Sequence, residues 1–154
     1  MLPAKYPVKR IDAGCERFVL KARFPHFTPE LLFNYWIKPE LLRRWWSSDL
    51  QLTARLGGGF HLPWMETGRC LVGTYTYFEH GKRLAFTWHW SDESSAPRRS
   101  VALGFRPSTS GGASLMLMAG LYDRTPDGRK MRRDHMDCWT YFLTRLHALE
   151  GVRQ

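Results

Sequence analysis

The side chains with the widest chemical reach in this 154-residue sequence are six histidines and three cysteines. A zinc site needs three or four such ligands at close, defined spacings. His26, His61, His80, His89, His135 and His147 assemble no tetrahedral set by spacing. Cys15, Cys70 and Cys138 show neither a Cys-x-x-Cys nor a Cys-x-x-His pattern. His61 and His89 both fall on the outer faces of predicted strands, and become neighbours only if those strands align. No metal is therefore expected. The odd number and wide separation of the cysteines also argue against a disulfide framework and fit a reducing compartment.

Nucleophilic chemistry finds little more. Ser47, Ser48 and Asp49 place hydroxyls beside a carboxylate, but no G-x-S-x-G elbow or paired base accompanies them, and they read as a helix exit. Alternation puts Tyr75 and Tyr77 on the face of Gly73. Turned inward, their hydroxyls could orient a polar group on a ligand or act as a general acid. The plainer reading is structural tyrosines bonded to backbone or water. The glycines at 57–59 lie between two strands and are followed by neither Lys-Ser/Thr nor a helix, so they form a bend, not a phosphate loop. No cofactor and no dedicated catalytic residue are expected.

What does stand out is aromatic content, with Trp, Phe and Tyr making 14% of the chain. Its placement follows from the elements. Residues 16–24, "ERFVLKARF", alternate as a strand with one polar edge. Then "PELLFNYW" (29–36) and "PELLRRWW" (39–46) repeat one pattern: proline at the first helical position, glutamate in the first turn, and an apolar stripe ending in tryptophan. Two helices this short hold together only by packing against something larger. Strands are predicted at 49–55, 59–66, 69–79, 83–91, 99–107 and 113–121, with short turn-like separators that imply antiparallel hairpins. A helical period returns over 130–150.

This order predicts an α+β layout: a curved antiparallel sheet of about seven strands wrapped around a long C-terminal helix, with two short helices after the first strand. The chain is expected to be one domain over 1–154, with its core at about 16–150. Trp64, Tyr75, Phe86, Trp88, Trp90, Trp139, Phe142 and Leu143 then project into the space between sheet and helix, and Tyr77 joins them by alternation with Tyr75. Such a set either fills a core or lines a pocket for a planar apolar molecule. The residues by themselves leave both open. In "SLMLMAGL" both faces of the strand are apolar, so one set must lie on the outer side of the sheet; an exposed Met116 and Met118 pair there would suit a homodimer contact or an adaptable protein surface.

The net charge of +9 raises the question of nucleic acid. The basic groups are dispersed, at 43–44, 98–99 and 128–133, and charge without a single aromatic-studded face is not a binding surface, so nucleic acid is not the expected partner. No apolar run approaches the ~20 residues of a membrane span. The start, "MLPAKYPVKRIDAGCERF", lacks the apolar stretch of a signal peptide. A cytoplasmic location is expected.

Four segments resemble one family in the same order: "FTPELLFNYWIKPELLRRWW" (27–46), "LTARLGGGF" (52–60), "GTYTYFEHGKRLAFTW" (73–88) and "HMDCWTYFLTRL" (135–146). The pattern is similar to the START-like, Bet v 1-like (SRPBCC) superfamily, and within it to homologues of the activator of heat-shock protein 90 ATPase, which implies the α+β helix-grip fold. The resemblance implies that the two short helices support the wide end of the grip, anchored by Leu31, Leu32, Trp36, Leu41, Leu42, Trp45 and Trp46. One departure is Cys138, where the family often has glycine; a thiol facing the cavity would shrink it.

Three functions follow as expectations. The first is binding of a small hydrophobic or aromatic molecule between sheet and helix. The second, implied by the resemblance, is a protein-interaction role such as a stress-related chaperone cofactor. The third is a cyclase- or hydrolase-like enzyme using Tyr75 or Tyr77.

Overall fold

The computed structural model describes residues 7–46, 49–64, 68–93 and 99–150. Its elements run β1 (Val8–Ile11), β2 (Arg17–Phe24), α1 (Pro29–Ile37), α2 (Pro39–Leu42), β3 (Gln51–Leu52) and β4 (Gly59–Trp64). They continue as β5 (Arg69–Glu79), β6 (Arg83–Trp90), β7 (Arg99–Pro107), β8 (Ala113–Gly120) and α3 (Pro126–Glu150). The α+β helix-grip is the architecture observed. Eight strands form one antiparallel, unclosed sheet in the order β1-β2-β8-β7-β6-β5-β4-β3, and it curves around α3. Among the described residues no helix is long and apolar enough to cross a membrane.

Local chemistry accounts for most boundaries. Thr28 caps α1 by accepting a hydrogen bond from the Leu31 N–H at 3.1 Å, ahead of Pro29 in the first turn. Lys38 is extended because Pro39 follows it, and that kink separates α1 from α2. The β5–β6 hairpin turns through Gly81 at φ +78°, a conformation that side chains resist. β2 lies beside one edge of the sheet and β3 forms the other edge, so α1 and α2 must carry the chain across its open side.

Some expectations shift. β1 pairs with β2 from Val8↔Ala22 to Ile11↔Val19, making eight strands in place of about seven. Its four residues are too few to show a period. β3 is two residues long rather than spanning 49–55, and α3 begins at Pro126, a turn earlier than 130. Ser47 and Ser48 lie outside the described residues. In α1, Leu31 is exposed and Phe33 is fully buried in its place. The helix turns Phe33 edge-on to Phe78 and Phe105, with centroids at 5.6 and 5.1 Å.

One polar residue ties the ends of the grip together. Glu150, the last residue of α3, is buried, and its carboxylate accepts hydrogen bonds from the His26 N–H at 2.5 Å and the Phe27 N–H at 3.0 Å. These are the turn residues between β2 and α1, so the end of α3 holds the start of the helical support.

Candidate functional site

The space between sheet and α3 is where the aromatic residues converge. From α3, the buried Trp139, Phe142, Leu143 and Leu146 face the sheet at spacings of three, one and three residues. From β5 and β6, Tyr75, Phe86, Trp88 and Trp90 face the helix, each less than 5% exposed. Trp139 lies within 5.5 Å of the Trp88 ring and 6.2 Å of Phe86, and Trp46 within 4.2 Å of Phe142. What remains open is about 20 Å³, on the order of one water molecule. Of the two readings left open by the residues, this conformation is the filled core.

The small gap is lined by Tyr75, Phe86 and Trp139 from the expected set. Trp36, Trp45, Trp46 and Phe60, expected only as anchors or strand residues, line it as well. Trp88, Trp90, Phe142 and Leu143 pack around it without lining it. The side chain of Trp64 lies outside the described residues. Tyr77 is corrected: it is 49% exposed on the outer face, where its hydroxyl donates to Glu79 Oε1 at 3.3 Å. The cause is a β-bulge, since Tyr75 pairs with Phe86 but Tyr77 pairs with Ala85, leaving Thr76 as an extra residue. One inserted residue flips the alternation. Tyr75 and Tyr77 therefore never act together. Burial pushes the Tyr75 phenol well above its usual range, so it holds its proton. Gly73 is needed for space, because a Cβ there would sit 2.4 Å from Phe60 Cζ and 2.0 Å from the Thr87 carbonyl oxygen.

The aromatic interior is not fully satisfied. Among the described residues the indole N–H groups of Trp36, Trp88, Trp90 and Trp139 are buried without a hydrogen-bond acceptor. Trp45 and Trp46, by contrast, donate to the carbonyl oxygens of Tyr35 at 2.9 Å and Leu62 at 3.4 Å. A buried donor without a partner costs about 1–3 kcal/mol. Edge-to-face contacts such as Trp88–Trp139, at 86°, add aromatic attraction that offsets part of that cost.

A second cluster was invisible to the histidine inventory, because its members come from three elements. His135 on α3 is buried between Glu93 and Tyr122: Nε2 lies 3.0 Å from Glu93 Oε2 and Nδ1 lies 2.8 Å from the Tyr122 hydroxyl. Glu93 Oε1 accepts from the Trp90 N–H at 3.0 Å. Both ring nitrogens of His135 are thus engaged, one by the Glu93 carboxylate and the other by the Tyr122 hydroxyl. Arg99 sits 4.9 Å from the centre of the Tyr122 ring. His135 and Cys138 do stand at i, i+3 on α3, but His135 has committed both ring nitrogens, and burial raises the Cys138 thiol above its usual range. His61 and His89 share the outer face on either side of Val72, two strand spacings or about 9–10 Å apart. Among the described residues no group of three or more His, Cys, Asp or Glu could hold a metal.

The cluster predicts a pH dependence. Burial works against ionisation of Glu93, but hydrogen bonds from His135 and the Trp90 N–H, with the charges of His135 and Arg69, outweigh it and lower the carboxyl below its ordinary 4.5. A carboxyl lowered by folding contributes stability above pH 4.5, and that contribution disappears as pH falls through the folded-state value. Urea unfolding of Glu93→Gln between pH 3 and 7 is expected to show a shallower acid loss than the parent. Parallel curves would remove Glu93 from the acid transition.

The outer face of the sheet is different in kind. Register aligns its side chains in rows across the strands. One row reads Val19, Met118, Ala102, Ala85, Tyr77; the next reads Lys21, Met116, Gly104, Arg83, Glu79. Met116 and Met118 are 42% and 41% exposed, while Leu115 and Leu117 are fully buried on the inner face. Small residues at 102 and 104 leave an open trough of about 690 Å³ between the methionines and a basic rim.

Residues 26–151 match the model of the family described as Activator of Hsp90 ATPase homolog 1-like protein. The chain belongs to that family. Solved structures similar to this family member include an Hsp90 activator from Plasmodium falciparum, 20% identical with a TM-score of 0.72, covering 88% of this chain and 96% of that one. The Aha1 dimer from Colwellia psychrerythraea is 14% identical with a TM-score of 0.71, covering 90% and 98%. A protein from Mesorhizobium loti is 23% identical with a TM-score of 0.71, covering 86% and 95%. At these identities the likeness is one of fold. Among curated proteins none matches. The Activator of Hsp90 ATPase homolog 1-like match begins at the turn held by Glu150 and ends just past α3, so it takes in the interior, the buried histidine cluster and most of the outer trough. Cys138, set against the glycine frequent in the family, is half-buried beside the core and does not line the gap.

Proposed function

We propose that this chain is a non-catalytic binding domain that engages another protein, of the Hsp90-type chaperone class, through the outer face of its sheet. One contrast carries the reading: the interior offers about 20 Å³, while the outer trough offers about 690 Å³ beside two exposed methionines. Methionine is the residue of adaptable protein contacts, and a water-exposed pair of it on an open sheet face suits a partner better than solvent. The family and the two relatives described as an Hsp90 activator and an Aha1 dimer support the class of partner. A homodimer through the same methionines is the competing occupant. The test is ATP turnover by a purified Hsp90-type chaperone with and without the chain. Turnover is expected to rise, and Met116→Lys with Met118→Lys to abolish the rise. Unchanged turnover with no co-migration, or sedimentation of the chain alone as a dimer broken by the same substitutions, would reject a chaperone partner.

Small-molecule binding is a second reading, favoured by the four indole donors that lack acceptors. A planar apolar guest carrying oxygen acceptors would satisfy them, provided the ring stack opens to admit it. Binding at one hundred times its Kd stabilises a protein by about 2.7 kcal/mol. A thermal-shift screen of flavonoids and polyketide-like aromatics that raises the melting point with none of them removes this reading.

A further inference from the structure

We infer that the outer trough takes an acidic, extended protein segment, with carboxylates seated on its basic rim and apolar side chains on Met116 and Met118. This rests on the outer-face reading above and specifies the partner's chemistry. Lys21, Lys82, Arg83 and Arg106 line the trough with a single carboxylate, Glu79. Among the described residues none of these four cations is ion-paired. Glu79 is engaged instead by the Tyr77 hydroxyl. Lys21 and Arg83 stand in one row, three strand steps apart with Met116 and Gly104 between them, and Glu79 closes the row beyond Arg83. That separation is about 14 Å, which an extended chain covers in about four residues. Two cations that far apart lie beyond the Debye length of about 8 Å at physiological salt, so each needs its own anion. The apolar surface between them excludes a purely electrostatic partner. A nucleic-acid strand would need stacking rings along the groove, whereas the centre of this one is methionine, alanine and glycine.

The test is fluorescence anisotropy of the full chain with a labelled twelve-residue peptide carrying glutamate at every fourth position and leucine between. Parallel arms use the same peptide with glutamine for glutamate, and single-stranded DNA. The glutamate peptide is expected to bind, to weaken with salt, and to lose about tenfold in affinity with Lys21→Glu plus Arg83→Glu, and again with Met116→Lys plus Met118→Lys. Equal binding of the glutamine peptide overturns the acidic occupant while leaving the outer-face reading intact. DNA binding that matches the glutamate peptide and ignores the methionine changes assigns the rim to phosphates and overturns it too. If neither peptide binds and chaperone stimulation is also indifferent to the methionine changes, both the inference and the reading beneath it fail. The salt series and glutamine peptide use the unaltered protein, so a variant that fails to fold does not remove the test.

Discussion

Trp139→Ala lowers the stability of this domain by about 3–5 kcal/mol, the usual cost of deleting a buried tryptophan. Trp139 is 1% exposed and touches rings from α1, β6 and its own helix, with Trp36, Phe86, Trp88 and Phe142 all within 6.2 Å. Its loss therefore loosens the sheet–helix contact and the helical support together. At about 2–4 °C per kcal/mol for a chain of this size, the melting point falls by roughly 6–20 °C. Trp139→Phe keeps most of the apolar contact and removes a donor that has no acceptor, so its cost is expected to be about half or less. Indole added to Trp139→Ala should restore part of the melting point, because dry apolar cavities of about 150 Å³ accept small aromatic molecules. Thermal unfolding of both variants with and without indole checks this. A Trp139→Ala protein as stable as the parent would mean that the interior is not close-packed. Stabilisation of the parent by indole would instead favour the small-molecule reading.

Glu150→Ala carries the second large effect. The buried carboxylate accepts from the His26 and Phe27 N–H groups, and hydrogen bonds to a charged acceptor are worth about 1.5–3 kcal/mol each. Removing it takes the carboxylate from the His26 N–H and leaves the Phe27 N–H with only its longer bond to the Phe24 carbonyl oxygen, at 3.3 Å. A loss of about 2–4 kcal/mol is expected once the turn relaxes toward water, with Glu150→Gln losing less because one amide oxygen remains to accept. Denaturant unfolding orders the three proteins: parent, Gln, Ala. Hydrogen exchange at His26 and Phe27 should quicken in the alanine variant before the sheet does. Equal stability of all three would show that neither the charge nor the hydrogen bonds of the clamp contribute to stability.

The sequence by itself determined the elements and their order. Thr28, Pro29, Pro39 and Gly81 act on their own backbone, and the alternation in "RLAFTWHW" needs no partner strand to declare its buried face, so both could be read from local chemistry. The placing of Leu115 and Leu117 against Met116 and Met118 had one alternation but two possible signs, and the sheet's curvature around α3 chose between them. What only the tertiary structure decided involves distance between remote residues. The bulge at Thr76 exists through the pairing of β5 with β6, and it moved Tyr77 outside. Glu93, His135 and Tyr122 belong to a turn, a helix and a loop with no common period. Glu150 ends a helix, and its burial depends on the β2–α1 turn lying beside it. Whether the inward rings would line a pocket or close it was a question of volume. That answer depends on how far α1 and α2 press Trp36, Trp45 and Trp46 into the gap, and no local spacing records the depth to which one layer sinks into another.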